Sequence, residues 1–122
     1  MENYYRMLAI SHEDFPTYMS LHVDLTEDMS LVFIDDCSHP EDEDRNFTEC
    51  FSVSKENTSL LALVNHITVQ ELPDFFWNKF KNEGHCLDAG EVVDVIDNIV
   101  AYLKELNIPY EYKGEKKAKK ER

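Results

Sequence analysis

Five histidines, three cysteines (Cys37, Cys50 and Cys86) and 25 Asp plus Glu supply this 122-residue chain with every side chain needed to bind a metal or move a proton. Spacing decides whether they do so. Cys37-x-His39 and His85-Cys86 are the close pairs, and neither follows the CxxC or HExxH pattern that would preassemble zinc ligands. Calcium loops begun at Asp36 or Asp42 lack both the glycine at the sixth position and the glutamate at the twelfth. No serine lies in GxSxG, and Gly84, Gly90 and Gly114 are the only glycines, too few and too scattered to cradle a phosphate. Glu13/Asp14 and Asp35/Asp36 are carboxylate pairs of the kind used in acid–base catalysis, but neither has the neighbouring groups that tune one member as acid and the other as base. The residues therefore predict no enzyme, no metal and no cofactor. An odd number of thiols without CxxC spacing predicts reduced, structural cysteines and a cytoplasmic location.

What remains is charge. The chain carries 12 Lys plus Arg for a net charge of −13, and residues 113–122 (KGEKKAKKER) hold a local +4, which leaves −17 on residues 1–112. A magnitude of up to about 8 keeps a small domain soluble, and the body exceeds that twofold. Between Ser11 and Glu49 stand twelve acids and a single base, Arg45. Such a field attracts basic proteins and repels nucleic acid and anionic lipid. The expected partner is a basic protein, and the expected contacts are Asp35, Asp36, Glu41, Asp42, Glu43 and Asp44 on an exposed loop, with Asp24 and His22 beside them on the polar face of a strand.

The elements that must carry these residues follow from periodicity. Met19, Leu21, Val23 and Leu25 alternate with Ser20, His22 and Asp24, a half-buried strand; after a turn at Thr26-Glu27-Asp28, residues Met29 to Ile34 form a second strand that is apolar on both faces and so more central. Asp35 to Asn46 lacks apolar periodicity and is predicted to be a loop. Phe47 to Val53 is a third strand and Leu60 to Val69 a fourth, while Asn3 to Ile10 suits strand or helix. The period then changes. Asp74 to Lys81 is helical, with Phe76, Trp77 and Phe80 on the buried face and Phe75 elsewhere. Val92, Val95, Ile96, Ile99, Val100, Leu103 and Leu106 make the stripe of a second helix, opened by Asp88 and Glu91 and ended at Asn107. Tyr110 to Tyr112 returns as a short edge strand.

The expected fold class is α+β, with an antiparallel sheet from the N-terminal half covered by two C-terminal helices in one domain, residues 1–112, and a basic, disordered tail at 113–122. The longest uncharged run, Asn57 to Gln70, is too short and polar to span a bilayer, and Met1 to Ile10 has no signal-peptide pattern, so no membrane role is expected.

A short acidic α+β chain with Asp35-Asp36 followed by Glu41-Asp42-Glu43-Asp44 resembles, in size, charge and layout, the immunity proteins that bacteria pair with secreted toxins, including contact-dependent growth inhibition and colicin-type systems. That resemblance implies an inhibitor that binds and neutralises a basic cognate toxin such as a nuclease. The profile is also similar to acidic secretion chaperones, although Pro16 ends early the long helix with which those open, and to DNA-mimic inhibitors, although their acids are distributed over helices whereas these crowd a hairpin and loop.

Overall fold

The computed structural model describes residues 5–11, 18–38, 46–80 and 89–116. Five strands form one antiparallel sheet in chain order: β1 (Arg6–Ile10), β2 (Tyr18–Leu25), β3 (Leu31–Ser38), β4 (Phe47–Val53) and β5 (Glu111–Lys116). Between β4 and β5 come α1 (Lys55–Val64), a 3₁₀ turn (Val69–Glu71), α2 (Leu72–Phe80) and α3 (Ala89–Glu105). The α+β class is as expected. The N-terminal segment takes its strand option.

The β2–β3 hairpin forms where alternation predicted it, and β3 is the middle strand. Its loop closes by Met29 N–H donating to the Thr26 carbonyl at 2.9 Å, which places Met29 at φ 66°. Leu21, Val23, Leu31 and Phe33 point into the helical layer and are fully buried, along with Phe76 of α2 and Val92 and Leu103 of α3. Burying residues of this size is worth about 1.5–3 kcal/mol each, enough to hold two helices on the sheet.

Four expectations need correction. β3 does not end at Ile34 but runs through Asp35, Asp36 and Cys37 to Ser38, because Leu31, Phe33, Asp35 and Cys37 keep the two-residue burial rhythm despite the charge. Leu60 to Val69 is not a strand: α1 occupies Lys55–Val64, with Ser54 as N-cap accepting from Asn57 N–H at 3.2 Å. The buried hydroxyl of Thr58 ties this helix to the sheet, accepting from Leu31 N–H at 3.0 Å and donating to the Val53 carbonyl at 3.1 Å. Residues 113–116 of the expected tail belong to β5, which pairs with β4 from Ser52↔Glu111 to Phe47↔Lys116. Phe75, expected off the buried face, is half-buried, its ring edge-on to Phe76 at 5.3 Å and near Tyr102.

Both long helix ends are closed by left-handed residues other than glycine. His66 (φ 58°) follows α1, where Ile67 N–H reaches the Ala62 carbonyl; Asn107 (φ 59°) follows α3, where Ile108 N–H reaches the Leu103 carbonyl at 2.9 Å. Each satisfies carbonyls the helix leaves open. Asn107 is the cap expected from the sequence.

Candidate functional site

The sheet has two unlike faces. Register pairs Leu21 with Asp35 and Asp35 with Glu49 on the face that meets the helices, and His22 with Ile34 and Asp36 with Thr48 on the other. That second face has no helix packed on it among the described residues, and His22, Asp24, Val32, Ile34 and Asp36 are all half-buried there.

Of the eight residues expected to make contacts, three meet on this open face. Asp36 Oδ1 accepts the Thr48 hydroxyl at 2.7 Å, and Asp24 Oδ1 accepts Leu25 N–H at 2.8 Å, so both carboxylates are held by the sheet itself. The His22 ring lies 4.6 Å from that of Tyr5. Burial holds the His22 imidazole below its usual pKa, against the opposing pull of Asp24 and Asp36, so the ring is neutral at pH 7. The middle of this face thus presents Val32 and Ile34 flanked by two carboxylates and an uncharged imidazole. Glu41, Asp42, Glu43 and Asp44 lie outside the described residues.

Asp35 departs from the expected role. It has no exposed surface, so it cannot meet a partner, and no donor reaches either of its carboxyl oxygens. Its cross-strand neighbour is Glu49, whose Oε2 accepts the Tyr112 hydroxyl of β5 at 2.5 Å. Burial first, then a hydrogen bond shared with Glu49 and the charges of Glu49 and Asp36, push the Asp35 carboxyl up to about 8. Asp35 is accordingly protonated at neutral pH. The hydrogen bond to Glu49 raises the Tyr112 phenol as well.

Acids do not crowd a single surface of the described chain. Glu91, Asp94, Asp97 and Glu105 are exposed along α3, Asp74 on α2, and Glu27 and Asp28 at the hairpin tip. Negative charge is therefore spread over the described residues, and local contacts rather than total charge must select a docking face there. One more surface stands out. Leu60, Leu63 and Val64, at one-turn spacing on α1, are 42%, 69% and 46% exposed while Leu61 and Ala62 between them are buried. The sequence hid this stripe because a continuous apolar run does not show which residues turn outward; the N-cap at Ser54 was the available signal.

A cleft of about 350 Å³ opens at the end of the sheet between Ser30, Ser52, Ser54, Asn57, Tyr110 and Glu111. Ser54 and Asn57 already bond to each other in capping α1, and Glu111 is the one carboxylate on its wall, so it offers no acid–base pair. Among the described residues no three His, Cys, Asp or Glu side chains gather to hold a metal, and no helix is long and apolar enough to cross a membrane. No protein-family model, curated protein or solved structure matches this chain.

Proposed function

We propose that this chain is a binding protein that docks a cationic protein surface on the open face of its sheet, and that it acts as an immunity protein neutralising a basic toxin domain such as a nuclease. The observation that carries this reading is the composition of that face: an apolar centre, Val32 and Ile34, beside Asp24, Asp36 and a neutral His22. Apolar area supplies contact free energy, and carboxylates already held by the sheet meet Lys or Arg at little further ordering cost. The −17 of residues 1–112 supports the reading from long range, because it steers a cationic partner toward encounter.

The test takes the protein encoded by the reading frame beside this chain's gene, expected to be a secreted toxin with a basic domain. Co-expression of the full chain is expected to rescue growth, and the association rate is expected to fall at least about tenfold between low salt and ~0.15 M. Asp24→Lys with Asp36→Lys, which leaves the covered face intact, should weaken binding by about 100-fold or more. Unchanged affinity in that double variant removes the open face as the contact; loss of binding with Leu63→Asp instead would move the interface to α1. A domain that neither binds nor is neutralised overturns the function.

A further inference from the structure

Asp35, Glu49 and Tyr112 lie outside the open face, and they run from the core to the surface: Asp35 is fully buried, Glu49 half-buried and Tyr112 exposed. A buried polar group without a hydrogen bond costs about 1–3 kcal/mol, more if charged, and native interiors seldom keep one without reason. As two carboxylates Asp35 and Glu49 have no donor between them. One proton supplies it, since a protonated Asp35 donates to Glu49 while Glu49 goes on accepting from the Tyr112 hydroxyl.

The third member is placed by an arrangement within β5. Glu49 lies opposite Gly114, and Tyr112, two residues earlier on the same face, folds its ring over that glycine to reach the carboxylate. A Cβ at position 114 would stand 2.6 Å from the phenol oxygen and 3.1 Å from the ring carbon that bears it. A side chain there would displace the exposed Tyr112 ring, so glycine lets the bond form without that shift.

We propose that Asp35, Glu49 and Tyr112 form a proton-dependent latch that fastens the edge strand β5 to the sheet and releases it when the shared proton leaves. The proton goes to water. What stays behind is two negative carboxylates on neighbouring strands, one of them with no access to solvent. By register Asp35 stands opposite Leu21 on β2 and Glu49 on β4, with Cys37 two residues along β3 on the same face and Asp36 next in sequence, and Ile96, Ile99 and Leu103 line the layer beside Leu21 and Phe33. No base stands among them to take up the charge. Like charges directly opposed across strands are destabilising, and Glu49, being half-buried, is the partner able to swing outward. Its departure breaks the bond to Tyr112. β5 pairs on one side only, its residues 111–114 are exposed, and it is the strand with least else to hold it.

Amide hydrogen exchange on the full chain, expressed as protection relative to intrinsic rates, tests the latch between pH 6 and 9.5. Protection of the Tyr112 to Lys116 amides should fall by about tenfold across pH 7 to 9 while Ile96 to Leu103 in α3 changes several-fold less. Asp35→Asn, whose amide donates to Glu49 at every pH, should make β5 protection flat; Tyr112→Phe and Gly114→Ala should leave it low throughout. An equal fall in α3, a flat native profile, or the same fall in Asp35→Asn overturns the latch. Carboxyl ¹³C titration of the unmodified protein gives a readout that needs no variant: a group titrating near 8 is expected at Asp35, and an ordinary titration near 4 would overturn the proposal.

Discussion

Asp35 and Asp36 are the same side chain at consecutive positions of one strand, and the pleat sends them to opposite fates. Asp36 faces outward, is half-buried and takes a hydrogen bond from Thr48; Asp35 faces inward, has no donor to its oxygens and must hold a proton. A charge run in a sequence is thus no guide to a charged surface until strand parity is known.

The two faces should differ first in what a truncation costs. Phe76→Ala, emptying a fully buried site against Phe33, should destabilise by about 3–5 kcal/mol, whereas Ile34→Ala on the open face should cost about 1 kcal/mol; equal urea midpoints for the two would erase the distinction. Next comes pH. Because the folded state raises the Asp35 carboxyl to about 8, it keeps a proton that the unfolded chain gives up near 4, so its contribution to stability is fullest below about pH 4 and is lost as pH climbs to about 8. Asp35→Asn should remove that decline and stabilise the protein at pH 9 by on the order of 1–3 kcal/mol, seen in denaturation midpoints at pH 5, 7 and 9.

His22 on the open face should behave oppositely and more weakly. Its folded pKa is lowered, so the native state resists protonation and stability declines as pH drops below about 6.5; His22→Gln should flatten that acidic limb alone. The smallest effect lies away from both faces. His66→Gly relieves a left-handed backbone at an exposed cap and should raise stability by about 0.5–1 kcal/mol, readable as a higher melting temperature.

How far the sequence showed all this depends on whether each signal was local. The β2–β3 hairpin, α3 and its Asn107 cap were legible, because alternation, three-and-four spacing and a left-handed terminal residue are written within a few positions of each other. α1 was not: Leu60-Leu61-Ala62-Leu63-Val64 is apolar throughout, and only packing of Thr58 and Leu61 against the sheet decides which side turns in. Acids from Asp35 onward masked the continuing strand, although Leu31, Phe33, Asp35 and Cys37 keep a period of two. Of the candidate contacts, Asp24, His22 and Asp36 were placed together by the hairpin register, which is local. The Asp35–Glu49–Tyr112 group depends on pairing β4 with a strand some sixty residues later, and no short-range pattern records such a partner.

The strand order also dictates how the molecule is assembled in time. β1 to β4 are neighbours in sequence as in space, so this meander closes by short connections as soon as the polypeptide is made, while β4 must wait through residues 54–110 for its last companion. Until then β4 offers a row of unsatisfied amides to any extended segment nearby. A nascent chain is most exposed to mispairing or strand exchange during that interval, and its safety rests on how quickly α1, α2 and α3 bring the C-terminal strand home.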